Sequence, residues 1–132
     1  SFDRIILDPP CSALGLRPKL KVDLKNDTEL IKQAQYQKAF IRQAVELLKP
    51  GGTLVYSTCT FHGLENEGNV QYILEKYPCM KLVPLNFSLG RDGLDGYGLK
   101  PEEQTMVRRF EPHFGREDDT MGFFIARFRK EQ

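Results

Sequence analysis

LLKPGGTLVYS, Leu47–Ser57, decides the fold, because it joins two segments of opposite period. Upstream, from Thr28 to Lys49, apolar side chains such as Leu30, Ala34, Ile41, Ala44, Val45 and Leu48 recur at helical spacing. Asn26, Asp27 and Thr28 offer N-caps, and Pro50-Gly51-Gly52 should stop the helix. Downstream, Thr53-Leu-Val-Tyr-Ser57 is short, apolar and β-prone. Arg4-Ile-Ile-Leu-Asp8 has the same character and reads as a strand buried on both faces. A long helix crossing between two such strands makes a parallel α/β sheet.

The rest of the chain extends that sheet. Asn66–Tyr77 reads as a second helix stopped by Pro78, and Lys81–Leu85 as a weak strand whose Pro84 suits an edge. Asn86–Gly98 is a glycine-rich loop, and Pro101–Phe110 a short helix with Pro101 in its first turn. Gly115–Thr120 is turn-like, and Gly122–Phe128 is a last apolar strand. Two closing strands with no full crossover helix between them predict an antiparallel C-terminal edge.

Composition sets limits on function. At 132 residues, 40 % apolar and 28 % charged, the chain suits a single globular domain, 1–132. No apolar run approaches the roughly 18 residues of a membrane span. A net charge of +1 confines any nucleic-acid surface to a local patch. Three cysteines (Cys11, Cys59, Cys79) without a Cys-x-x-Cys pair favour a reducing compartment, so the cytoplasm or the nucleus is expected. The chain opens on Ser1, already entering a strand, so an upstream segment is expected as well.

The chemistry sits at strand ends. Ligands of open α/β sheets bind beyond the carboxyl ends of the strands. Asp8 and Cys11 follow one such end and Cys59 follows the next. Neighbouring strands lie roughly 4.8 Å apart, so the two thiols should share a pocket with the Asp8 carboxylate. Pro9 and Pro10 stiffen the corner and leave carbonyls that can accept from a ligand's amino group. The plainer reading makes both cysteines small buried hydrophobes. Arg17, Lys19, Lys21 and Lys25 are placed for phosphates, or are a solvated loop. Arg108, Arg109, Arg127, Arg129 and Lys130 read as exposed faces, Cys79 as a packing residue, and Phe123, Phe124 and Phe128 as core aromatics. Cys59 and His62 have Cys-x-x-His spacing but no partner pair, so no metal is expected.

These residues carry a resemblance. Asp8-Pro-Pro-Cys-Ser12 and Ser57-Thr-Cys-Thr60 resemble the paired motifs of the Sun-family (RsmB-like) RNA cytosine-5 methyltransferases. Leu48–Ser57, Glu65-Asn66-Glu67 and Gly122-Phe-Phe-Ile-Ala126 match that family too. Gly15-Leu-Arg-Pro18 and the closing strand lie nearest the branch acting on transfer RNA near its acceptor end. The resemblance implies the C-terminal half of a Rossmann-like S-adenosylmethionine-dependent methyltransferase sheet, its glycine-rich cofactor loop lying upstream of Ser1. It implies S-adenosyl-L-methionine as cofactor, met by Asp8 and Pro10, and RNA as partner, met by Arg17, Lys19 and Lys21. It implies Cys59 as the nucleophile toward cytosine carbon 6, Asp8 at ring nitrogen 3, and Cys11 in the release step. The family usually has Ala at Pro9 and Gly at Ala13, so Ala13 is expected not to need a positive φ. Two other readings stay open. An exocyclic amino-methyltransferase also uses Asp-Pro-Pro, but with an aromatic residue where Cys11 stands. A non-catalytic RNA-binding module would need neither thiol.

Overall fold

The computed structural model describes residues 1–14, 16, 27–112 and 120–132. The basic stretch at Arg17, Lys19, Lys21 and Lys25 lies outside them, as does all but Thr120 of the turn expected at 115–120. In chain order the elements are β1 (Phe2–Leu7), α1 (Asp27–Leu47), β2 (Leu48–Thr58), α2 (Glu67–Lys76), β3 (Met80–Val83), α3 (Pro101–Gln104), β4 (Arg108–Phe110) and β5 (Phe123–Lys130).

β1 and β2 are parallel, with Ile5 opposite Leu54 and Leu7 opposite Tyr56. β5 is antiparallel to β2, pairing Tyr56 with Ala126. Its other edge takes β3, with Leu82 opposite Phe128, and β4, with Arg109 opposite Phe124. Parallel strands followed by antiparallel C-terminal pairing are as expected. The position of β5 is the refinement: the order β1-β2-β5-β3 puts it inside the sheet, with β3 and β4 outside it. Its residues Phe124, Ala126 and Phe128 are fully buried, a density of apolar contact that only a central strand can use.

One face of the sheet carries the core. Leu54 and Tyr56 of β2 join Phe124, Ala126 and Phe128 of β5 in a cluster with Ile41 and Val45 of α1 and Val70 and Ile73 of α2. Ile5 and Leu7 pack against it. The other face is open among the described residues. Ile6 is 79 % exposed, so β1 is not buried on both faces as expected: no described strand pairs with its second edge and none of the described helices covers that side.

Pro50-Gly51-Gly52 does more than end a helix. Leu48 already pairs with Phe2, and the next pair is Arg4 with Thr53. Asp3 alone therefore spans a gap that Lys49 to Gly52 fill, and β2 bulges outward there. Gly51 turns the bulge at φ +81°, and a Cβ on Gly52 would lie 2.9 Å from the Asp3 carbonyl oxygen. The free carbonyls at the end of α1 find a partner in Lys130, whose Nζ donates to Val45 O (2.8 Å) and Leu48 O (2.9 Å). Lys130 is thus a helix cap, not one of an exposed row. The helix expected through Phe110 stops at Gln104, and Arg108–Phe110 form β4 instead.

Candidate active site

Past the ends of β1 and β2 the chain makes two turns side by side. Cys11 and Cys59 meet there, with Sγ atoms 3.1 Å apart and both residues half-buried. Asp8 is exposed at the end of β1. Burial, then the hydrogen bond and charge of Cys11, then the charge of Asp8, push the Cys59 thiol up to about 12. The thiol therefore rests protonated at neutral pH, and its use as a nucleophile requires a group to take that proton.

The corner carrying Cys11 is pinned from two directions. From α1, Gln33 Nε2 (2.8 Å) and Gln37 Nε2 (3.0 Å) both donate to the Pro10 carbonyl. This corrects the expectation of a carbonyl left for a ligand's amino group, because two amide donors already occupy it. From the loop after Cys59, the fully buried Glu65 takes the Ser12 N–H on Oε1 (2.8 Å) and the Ser12 hydroxyl on Oε2 (2.5 Å). Gln37 Nε2 also reaches Glu65 Oε1 (3.0 Å). Ser12 Oγ lies 2.8 Å from Thr60 Oγ1, so the residue after Cys11 grips the residue after Cys59. Under this layer the Tyr56 hydroxyl, its pKa raised by burial, donates to the Glu65 carbonyl (2.5 Å) and accepts from Asn69 Nδ2 (3.1 Å). Ala13 then turns the chain at φ +56°, contrary to the expectation that this position avoids positive φ.

A second buried carboxylate shapes the far side. Glu67 holds both oxygens against Arg109 Nη1, at 2.5 and 2.8 Å, and Arg109 also donates to the Phe61 carbonyl and to Glu111. Arg109, read from sequence as exposed, is 2 % exposed. Its β-strand setting turns it inward onto a carboxylate, which is what permits a charge to be buried there. Beside it lies a cavity of about 380 Å³ with Cys59 on its wall and Phe87, Phe110, Met121 and Phe123 around it. Phe124 and Phe128 are core residues as expected, but Phe123 points to the opposite face and is 37 % exposed. Cys79 packs against the core, and His62 Nδ1 accepts the Leu64 N–H.

The structure thus brings together Asp8, Cys11 and Cys59, the three residues singled out from sequence. Sequence reasoning gave no role to Ser12, Gln37, Thr60 or Glu65. The only signal for Glu65 was its place in the Glu65-Asn66-Glu67 match, since an acid before a helix ordinarily answers the helix dipole.

A parallel β1–α1–β2 unit closed by an antiparallel strand, with its polar groups gathered beyond the strand ends, is a Rossmann-like α/β arrangement. The chain belongs to the 16S rRNA methyltransferase RsmB/F family, whose sequence model matches residues 1–129. It is similar to the rRNA (cytosine-C(5))-methyltransferase NOP2C of Arabidopsis thaliana, at 47 % identity over 97 % of this chain and 23 % of that protein. It is 43 % identical to the tRNA (cytosine(72)-C(5))-methyltransferase of Pyrococcus horikoshii, over 97 % of this chain and 29 % of that protein. Among solved structures, NSun6 from Pyrococcus horikoshii with SFG superposes with a TM-score of 0.78 at 42 % identity, over 96 % of this chain and 29 % of that one. The chain therefore spans less than a third of the length of these relatives.

Proposed function

We propose that the protein carrying this chain methylates carbon 5 of cytosine in RNA, through a covalent bond between Cys59 and carbon 6 of the base. The observation that carries the reading is the contact between Cys11 and Cys59 at adjoining strand ends, beside Asp8. Packing alone gives no reason for two half-buried thiols to touch at the rim of a sheet. Relatives named for cytosine-C(5) methylation of rRNA and tRNA support RNA as the substrate class, and transfer RNA is the specific substrate proposed. Arg17, Lys19 and Lys21 are proposed as its phosphate contacts.

Carbon 5 of cytosine becomes nucleophilic only after a nucleophile adds to carbon 6. Cys59 loses its proton and adds there. In this reading Asp8, whose charge Cys59 already feels, receives that proton and hands one to ring nitrogen 3, where negative charge develops. S-adenosylmethionine, when bound, supplies the methyl group. Asp8 fits as one wall of its site, being exposed beside the edge of β1 that no described strand pairs, and the Pro10 carbonyl fits less well because two glutamines fill it. Asp8 then takes the proton back from ring nitrogen 3, a base removes the hydrogen on carbon 5, and the sulfur of Cys59 leaves carbon 6 as a thiolate with Cys11 assisting. Both thiols must be reduced for this, so a reducing compartment, cytoplasm or nucleus, is proposed.

Denaturing gels with substrate RNA test the assignment. Cys11→Ala should methylate once and stall, leaving a shifted protein–RNA band, whereas Cys59→Ala should show none. The opposite pattern would exchange the two roles, and no band with either variant would remove the covalent mechanism.

A further inference from the structure

We propose that Glu65 is the positioning residue that sets the distance between the two thiols. The inference rests on the two-thiol reading above but concerns a residue that touches neither sulfur. Cys11 contacts Cys59, and Ser12 contacts Thr60, with the same sequence offset of 48. Within the strands, Leu7 faces Tyr56 and Ile6 faces Val55, an offset of 49. The pairing of β1 with β2 thus continues past the strand ends as a ladder of side chains, slipped by one residue. No backbone ladder holds this extension, because the Pro9–Pro10 corner has no N–H to give.

Glu65 supplies the missing hold. Its carboxylate faces three donors: the Ser12 N–H, the Ser12 hydroxyl and the Gln37 amide. With the Ser12 hydroxyl donating to Glu65, the Thr60 hydroxyl must be the donor in the contact between Ser12 and Thr60. One buried carboxylate thereby fixes the residue after Cys11, orients the residue after Cys59, and ties both to α1 through Gln37. Its own main chain is held by Tyr56 and Asn69, so the anchor is rigid at both ends. Charge-assisted hydrogen bonds of this kind hold geometry more tightly than neutral ones. Glu65 therefore governs how the thiols face one another, while carrying no part of the bond-making itself.

The arrangement makes a distinction between substitutions. In Glu65→Gln the side-chain carbonyl can still take the Ser12 N–H and the Gln37 amide. The new NH₂ can donate to Ser12 Oγ, which then donates to Thr60, so the chain of hydroxyls reverses without breaking. Glu65→Ala leaves the Ser12 N–H and one Gln37 N–H buried with nothing to meet, and the Ser12 hydroxyl with Thr60 alone.

The test is the rate at which diamide closes a Cys11–Cys59 disulfide in the whole protein with Cys79→Ser. In that reaction two thiols give up two protons and two electrons, forming the S–S bond and reducing the diazene to its hydrazine. Glu65→Ala should slow closure at least about tenfold, since small displacements of reacting atoms carry large rate costs. Glu65→Gln should restore most of the rate. Met80→Ala, a cavity in β3 at the end of the sheet away from the clasp, provides a control for lost stability. It should leave closure unchanged. Closure at the parent rate in Glu65→Ala, or equal slowing by Met80→Ala, would overturn the proposal. Methyl transfer distinguishes the two levels. If Glu65→Ala uncouples the thiols but Cys59→Ala still methylates, the positioning role stands and the covalent mechanism falls. If Cys59→Ala is inactive and Glu65→Ala closes normally, the reverse holds. Where both stand, Glu65→Ala should lower kcat far more than it raises KM.

Discussion

Ala13 holds φ +56°, a conformation that L-residues with a Cβ adopt only at a cost. Replacing it with glycine should remove the strain and outweigh the added freedom of the unfolded chain. Ala13→Gly should therefore raise stability by about 0.5–1 kcal/mol, read from urea unfolding, since roughly 1–2 kcal/mol of left-handed strain is offset by roughly 0.4–1 kcal/mol of unfolded-chain freedom. A loss of stability would show that the turn is not left-handed in solution. Cys59 offers a second test at this scale. Its pKa is raised from 9.0 to about 12, first by burial and then by Cys11. Folding thus favours the protonated thiol: the contribution is complete below pH 9 and is lost as pH rises toward 12. Alkylation of Cys59 by iodoacetamide should keep accelerating beyond pH 10, with no plateau near the ordinary thiol value. In Cys11→Ala the causes due to Cys11 vanish, and the profile should shift to lower pH. An unshifted profile would mean that the contact between the sulfurs does not set the reactivity of Cys59. The two thiols themselves were legible because each follows an apolar strand by a few residues. Their clasp was not, because Glu65 meets Ser12 and Gln37 from 53 and 28 residues away.

Among elements, β4 shows where sequence reasoning fails. α1, α2 and β5 announce themselves by period, and their bounds lie close to those read from the sequence, while β2 starts five residues before the Thr53 expected. Arg108-Arg109-Phe110 has no such signature, since its central residue is a charge. It becomes a strand because Arg109 reaches Glu67, 42 residues upstream, while Phe110 turns to the cavity beside Cys59. The same pair binds α2, β4 and the Phe61 carbonyl into one joint. Arg109→Ala should accordingly lower stability by about 3–5 kcal/mol, the cost of leaving a buried carboxylate uncompensated. Replacing both partners, Arg109→Met with Glu67→Leu, should recover a good part of that loss. Equal losses in the single and the double variant would show that the joint is held by something other than charge pairing. The bulge at Pro50-Gly51-Gly52 is a related case. Its residues signal a helix stop, and only the pairing with β1 reveals that the strand has already begun.

For the whole molecule, the sheet is built from a local half and a remote half. β1, α1 and β2 form a unit of neighbouring sequence, while β3 and β4 join the sheet through β5. That arrangement has a consequence on the ribosome. The strand at the middle of the sheet is the last of the described strands to be synthesised. From Thr58, where β2 ends, to Lys130, where β5 ends, is 72 residues, or roughly 4–14 s at about 5–20 residues per second. For that interval β2 presents a bare edge, β3 and β4 lack the strand that joins them to the sheet, and the C-terminal carbonyls of α1 lack the ammonium that caps them. A nascent chain in this condition exposes the apolar face that becomes the core, a natural object for chaperones that hold emerging polypeptides. A premature stop just before Phe123 would not fray an end. It would take out the centre.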